Sequence, residues 1–314
     1  MYPVQAAVDL ANGKRVGTGW LKQPPDRRDY PAGSGPVENL TRRIGLTSDV
    51  LRESRALPTR VDLRALCSAI DDQGYLGSCT AHAAVGIVEY LEKRSFGKYV
   101  DGSRLFVYKT TRNLLGWRGD TGAFVRTAMG AVAILGVPPE KFWPYTTNVD
   151  PGPSGTGRTF DDEPGAFVYG VADNYEGVAY YCHDPASESI QPEQVLGSVK
   201  THLAYGIPSM FGFYGFGSFG SSDIPGGIPF PGPDEWAQWG HAIVAVGYDD
   251  NLKITNTQYD ITTTGAFLIR NSWGTWWGDK GYGYLPYQYV LASFASDFWS
   301  LFGMRWADSD RFGI

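Results

Sequence analysis

Ala83, Ala84, Ile87, Val88 and Leu91 recur at the i, i+4 and i+8 spacing of one buried helix face. Gly77 and Ser78 precede them as a turn and a capping-type residue, so the pattern predicts a helix from Gly77 onwards. A second helix is predicted over 121–135, TGAFVRTAMGAVAIL, stopped by Gly136, Pro138 and Pro139. Turn-forming residues then dominate 146–165 and predict a loop. After it the period changes. GAFVYGVA (165–172), IPSMFGFYG (207–215), HAIVAVGYD (241–249) and GAFLIRNSW (265–273) are short, β-branched or aromatic, and bounded by Gly or Pro, which predicts strands. One helix, near 192–205, interrupts them. A helical half followed by a β half predicts an α+β chain with a cleft between the two.

Residues 1–56 have a different texture. The stretch QPPDRRDYPAGSGP at 23–36 should be extended, because each proline biases its predecessor away from helix. A charged segment, LTRRIGLTSDVLRES, follows at 40–54. Two readings stand: an arm packed on the surface, or a pro-segment-like strap across a cleft. The tract FGFYGFGSFGSSDIPGGIPFPGP at 211–233 is a single short run without a repeat, and reads as a strand entering a long loop whose aromatics pack.

Composition narrows the function classes. The 314 residues suffice for one large core or two ordinary ones, and 43% hydrophobic with 19% charged residues marks a globular chain. A net charge of -6 argues against nucleic acid as a partner. No apolar run reaches the roughly 18 to 20 residues that would span a bilayer. The first twenty residues lack the basic and apolar regions of a signal peptide. The compartment stays open, with secretion or delivery to a host favoured over the cytoplasm. Cys67, Cys79 and Cys182 are too few and too scattered for a disulfide scaffold or a zinc site, so no metal or cofactor is predicted. Whether Cys67 and Cys182 pair is left open.

The chemistry starts at DQGYLGSCTAHA, 72–83. A thiol reacts as its thiolate, and the first turn of a helix, with unpaired N–H groups and a positive dipole end, favours that anion around Cys79. The Cys79 N–H can also bind a developing oxyanion, and Gln73, six residues upstream, offers a side-chain amide as second donor. A lone cysteine at a helix start is more often merely buried. The further pieces change that balance. His241 opens HAIVAVGYD at a loop–strand junction, and Asn271 follows in RNSWGTWWGDKGYG at 270–283. A Cys–His ion pair needs a third group to hold the imidazole plane, and a neutral amide suffices. Trp273 can cover that contact.

These blocks, in the order Gln, Cys, His, Asn, resemble the papain and cathepsin family of cysteine peptidases over residues 57–302, from LPTRVDLR onwards. The resemblance implies a papain-like two-domain fold with a helical left domain, 57–160, and a β-barrel-like right domain, 161–314, flanking the cleft, preceded by the arm at 1–56. It implies Gln73 and the Cys79 N–H as oxyanion hole, Cys79 as nucleophile, His241 as base, Asn271 as orienting residue and Trp273 as its cover. It further implies hydrolysis of peptide or protein substrates through a thioester. The short arm with PPDRRDY resembles bacterial members of the xylellain type, in which such an arm lies near the cleft. Departures are visible: Leu76 where many members carry a disulfide cysteine, Thr80 in place of the Trp after the nucleophile, and Gly240 where Asn or Asp is common. The spacing of 162 residues from Cys79 to His241 exceeds the roughly 130 to 150 expected, pointing to insertions near 145–165 and 216–238.

A papain-fold peptide-binding or inhibitory module, a transpeptidase or ligase using the same site, and a transglutaminase-like acyl transferase all compete. The last usually orients its His with Asp, which Asn271 is not. His82, three residues after Cys79, reads as a helix-surface or core-edge histidine rather than a ligand. His183 and His202 are given no role, and Asp71, Asp72 and Asp161–Glu163 read as solvated loop charge.

Overall fold

The computed structural model describes residues 7–39 apart from 28, 33, 36 and 38, and residues 57–304 apart from 153, 154, 156, 174–176, 186 and 187. The charged segment expected at 40–54 lies outside the described residues. The helix expected after Gly77 forms as α1, Cys79–Phe96, buried almost continuously to Tyr90 and closed by Gly97 at φ 73. Ser78 does not cap it: its hydroxyl lies 2.7 Å from Tyr145 OH and 3.3 Å from His82 Nδ1. Helices α2 (Arg104–Leu114) and α3 (Val125–Leu135) pack on α1 through Leu105, Phe106, Met129 and Val132.

Periodicity conceals α2 because its charged residues are buried. Arg104 pairs with Glu89 at 2.8 Å and Asp71 at 2.7 Å, and Arg112 pairs with Asp161 at 2.6 Å. Asp71 and Asp161 are therefore ion-pair partners, not solvated loop charge. The segment read as a strand at 165–172 is instead a helix, α4, Ala166–Ala172. Its buried positions, Val168 and Ala172, are four apart, whereas Phe167, directly before Val168, is 67% exposed. That is a helical spacing against the helical core.

The strands are β1 (Ala7–Asp9), β2 (Arg15–Gly17), β3 (Arg60–Asp62), β4 (Gly177–Cys182), β5 (Ser209–Gly215), β6 (Trp239–Asn256), β7 (Ile261–Arg270), β8 (Tyr282–Pro286) and β9 (Ala295–Met304). β1 and β2 form a separate hairpin. The rest make an antiparallel sheet in the order β4-β9-β5-β6-β7-β8, with β3 also paired to β6, so the path is open and does not close into a barrel. Alternate residues of β6 and β7 face opposite cores. Ala242, Val244, Val246 and Leu268 join the helical cluster, while Ile243, Ala245, Phe267 and Ile269 face a second cluster. Helices α5 (Pro192–Ala204) and α6 (Tyr287–Leu291) cover that second side. This two-sided burial explains why HAIVAV reads as an unbroken apolar run. All three cysteines are free thiols, so Cys67 and Cys182 do not pair. No described helix is long and apolar enough to cross a membrane.

Candidate active site

Cys79 is the first residue of α1, so its N–H has no partner within the helix. Its sulfur accepts a hydrogen bond from the Ala242 N–H at 3.3 Å, which brings the helix start against β6 immediately beyond His241. His241 is the third residue of β6, held opposite Phe213 of β5, and Asn271 is the first residue after β7. The adjacency of β6 and β7 therefore places the imidazole and the amide side by side. His241 Nε2 lies 2.8 Å from Asn271 Oδ1. The Ser272 N–H donates to that same Oδ1 at 2.8 Å, which identifies it as the amide oxygen. In the neutral ring Nε2 must then carry the proton, and Nδ1 keeps its lone pair. Nδ1 is buried without a hydrogen-bond partner among the described residues, as a base awaiting a thiol proton would be.

Trp273 stacks on the imidazole at 4.5 Å between ring centroids, 28° from parallel, and excludes water from the His–Asn contact. Gln73 is fixed by the Ser272 hydroxyl donating to its Oε1 at 2.5 Å, and its own Nε2 donates to Leu76 O at 2.8 Å. Five residues singled out from sequence, Gln73, Cys79, His241, Asn271 and Trp273, thus converge. His82 does not join them as a ligand: it is buried behind the helix start, with Nδ1 3.1 Å from Ser78 O.

Part of the N-terminal arm, around residues 17–21, runs beside these residues. Gly17 N donates to Gly74 O at 2.6 Å, and Trp273 Nε1 donates to Gly17 O at 2.8 Å. Two residues on, Gly19 N and Trp20 N donate to Gly240 O at 2.9 and 3.1 Å. Ala123 N donates to Gly19 O at 2.9 Å, and Leu21 N to Ala123 O at 3.2 Å, a parallel bridge. The arm therefore crosses from the Gln73 loop to the β6 side directly over the helix start. Glycines make the crossing fit. A Cβ on Gly17 would lie 2.0 Å from Leu76 O, and one on Gly19, at φ +126, would lie 2.5 Å from Gly77 O. Gly240 has the same explanation, since a Cβ there would lie 2.6 Å from Trp20 O. The glycine that departs from the common Asn or Asp is the space the strap occupies.

Enclosure sets the electrostatics. Burial pushes the Cys79 thiol up to about 12, against the Ala242 and Thr80 N–H groups that favour the thiolate. Burial likewise holds His241 down to about 3, with the Asn271 hydrogen bond opposing it. In the strapped state both groups are neutral.

Residues 57–291 match the model of the papain family cysteine protease. An uncharacterised peptidase C1-like protein of Acanthamoeba polyphaga mimivirus is 31% identical over 291 residues, covering 90% of this chain and 85% of its own. The chain belongs to the papain family of cysteine proteases. As a family member it is a cysteine peptidase, a hydrolase. Xylellain, a cysteine protease from Xylella fastidiosa, has a crystal structure that matches with a TM-score of 0.70 at 31% identity, over 92% of this chain and 96% of that one. Cathepsin K of Gallus gallus is 28% identical over 277 residues, covering 87% of this chain and 68% of its own. The papain-like α+β fold expected from sequence is thereby established, with an open sheet where a barrel-like one was anticipated. Sequence reading passed over Val16–Trp20 as part of the site. The signal was the pair of glycines flanking Thr18 directly before a tryptophan.

Proposed function

We propose that the chain is a papain-type endopeptidase in which Cys79 is the nucleophile, His241 its base and Asn271 the orienting residue, held latent by its own N-terminal arm. The observation that carries this reading is the His241–Asn271–Ser272 chain of hydrogen bonds, which leaves the Nδ1 lone pair free on a histidine adjoining the Ala242–Cys79 contact. Once the cleft opens, water reaches the thiol and the imidazole, the proton moves from Sγ to Nδ1, and the thiolate attacks a peptide carbonyl. The Cys79 N–H and Gln73 Nε2 receive the oxyanion, and His241 protonates the leaving amine. His241 then deprotonates the water that hydrolyses the thioester. Peptides and proteins are the substrates; the division into an arm at 1–56 and two halves meeting near residue 160 belongs to the same proposal. Arm residues that seal the site in this structure support a zymogen-like state.

The test uses a chain with the arm loosened by Gly19→Val, which forces a side chain into Gly77 O. Hydrolysis of a generic protein substrate is expected there, and adding Cys79→Ala should abolish it. Undiminished hydrolysis by the double variant would sink the assignment of the nucleophile.

A further inference from the structure

His82 and Tyr145 take no part in the chemistry above, yet their hydrogen bonds reach both residues that receive the oxyanion. The Cys79 N–H shares a planar trans peptide with Ser78 O, so the direction of that carbonyl fixes the direction of the N–H. Ser78 O accepts from Ala81 N at 3.0 Å and His82 N at 3.1 Å, and His82 Nδ1 lies 3.1 Å from it. On the Gln73 side, the Tyr145 hydroxyl donates to Gln73 O at 2.9 Å. Ser78 Oγ joins the two, 2.7 Å from Tyr145 Oη and 3.3 Å from His82 Nδ1.

Each proton along this path has one place. Burial, with the Arg104 charge adding to it, holds His82 down to about 3, so its ring is neutral and carries a single proton. Nδ1 faces a carbonyl, which can only accept, and so Nδ1 holds that proton. Gln73 O can likewise only accept, which commits the Tyr145 proton to it. The Ser78 hydroxyl must then donate to Tyr145 Oη and accept from His82. The chain runs in one direction, from His82 through Ser78 and Tyr145 to Gln73. Packing supports it: the His82 and Tyr145 rings meet edge to face, 5.0 Å between centroids and 80° between planes. Two further bonds anchor its ends, from Tyr145 N to Glu140 Oε1 and from Gln73 N to Ser272 O at 2.8 Å.

Resting on the peptidase reading above, we propose that His82 and Tyr145 are positioning residues of the oxyanion hole, holding the Cys79 N–H and the Gln73 amide in fixed relation through Ser78. Neither touches a reacting atom. Donors already aimed where charge develops need no reorganisation at the moment of reaction, and that is where such a chain acts. Tyr145→Phe keeps the ring and removes the hydroxyl that links the two sides. His82→Phe removes the Nδ1–H, whereas His82→Asn returns an N–H donor at the same distance from the backbone.

The experiment adds each substitution to the Gly19→Val chain and compares three readouts. Tyr145→Phe and His82→Phe are each expected to lower kcat and kcat/KM about tenfold or more with KM unchanged, the pattern of an interaction made only in the transition state. A peptide aldehyde, whose adduct with Cys79 places an oxygen in the hole, should lose affinity by the same factor. Cys79 alkylation by iodoacetamide, which develops no oxyanion, should keep its rate. His82→Asn should recover most of the loss, and the Tyr145→Phe, His82→Phe double variant should cost little more than either alone, because both break one chain. Tyr145→Phe, differing by one oxygen, carries the test if His82→Phe does not fold. Unchanged kcat and aldehyde affinity overturn the inference and leave the peptidase assignment standing. Alkylation that falls in step with kcat also overturns it, since the residues would then support the nucleophile's surroundings as a whole. An opened chain that neither hydrolyses substrate nor binds the aldehyde removes the peptidase reading, and this inference with it.

Discussion

Asn271 holds the histidine by a single atom. Its Oδ1 takes the Nε2–H of His241 and the N–H of Ser272 together, so the amide can neither flip nor turn without losing both bonds. Replacing Asn271 with Ala removes the acceptor, leaves the Nε2–H buried and unpaired, and lets the proton settle on Nδ1, where it blocks proton transfer from the thiol. In an arm-opened background, Asn271→Ala is expected to lower kcat by about 10²- to 10³-fold. Asn271→Asp, which keeps an acceptor oxygen at that place, should recover part of that loss; steady-state kinetics of the two variants make the comparison. A loss of similar size for Asp would show that more than acceptance at Nε2 is required. This level of the molecule was the most legible in the sequence. Cys79, His241 and Asn271 each sit at a helix start or a strand end, and Gln73 in the loop before the helix, contexts that the local sequence displays. His82 was not legible, because its bonds lead through Ser78 to Tyr145, which lies 67 positions beyond Ser78.

Between elements, legibility followed exposure. Helices α1, α3 and α5 and strands β5, β6 and β7 were visible as periodic runs, whereas α2 was hidden by buried Arg104 and Arg112 that mimic a surface. The arm was visible only as an anomaly of composition. The role proposed for it as a strap depends on backbone approaches at Gly17, Gly19 and Gly240 that no periodicity encodes. The strap has a chemical consequence that can be measured. With Cys79 pushed up to about 12 and His241 held down to about 3 by burial, neither group carries charge at neutral pH in the closed chain. Admitting water removes the penalty on both charged forms, so the thiol falls, the imidazole rises, and the ion pair forms once they cross. The expected outcome is a pH profile of Cys79 alkylation by iodoacetamide that climbs only in the alkaline range for the native chain. In Gly19→Val it should develop a plateau at neutral pH, with at least about a tenfold faster rate at pH 7. Superimposable profiles would mean that the arm does not govern the pair. Cys67 and Cys182 are buried and, replaced by Ser in a control, isolate the Cys79 signal.

Across the whole molecule, ionisable groups of both signs are buried in their neutral forms, and they oppose one another as pH changes. All four histidines are interior. His82 and His241 are held down to about 3 and His202 to about 4 by burial, and His183 lies well below its ordinary value for the same reason. Their folded values lie below the unfolded one, so the stability they contribute is present above pH 6.5 and is lost as pH falls toward 4. Buried carboxylates act in the other sense. Desolvation raises Asp184 to about 8, with repulsion from Asp297 adding to it, and desolvation raises Asp297 to about 6. Glu92 and Glu140 move in the same direction, both to about 7, again through burial. Their folded values lie above the unfolded ones, so their contribution is intact below about pH 4 and is lost as pH rises through 6 to 8. Well above pH 6.5, once the unfolded-state histidines have lost their protons too, they drop out and leave only the carboxylate slope, about 1.4 kcal/mol per pH unit for each proton lost on unfolding. Thermal denaturation followed by circular dichroism should therefore show a maximum Tm on the acid side of neutrality and a decline of several degrees from pH 6.5 to 8.5. Replacing Asp184, whose carboxylate both titrates highest in this set and pins the irregularity of β9 at Asp297, separates the two effects. In Asp184→Asn the decline should flatten while Tm at pH 6.5 falls, because one amide oxygen cannot serve both the Asp297 and Phe298 N–H groups. A Tm that stays level or rises through this range in the native chain would place the titrating protons elsewhere.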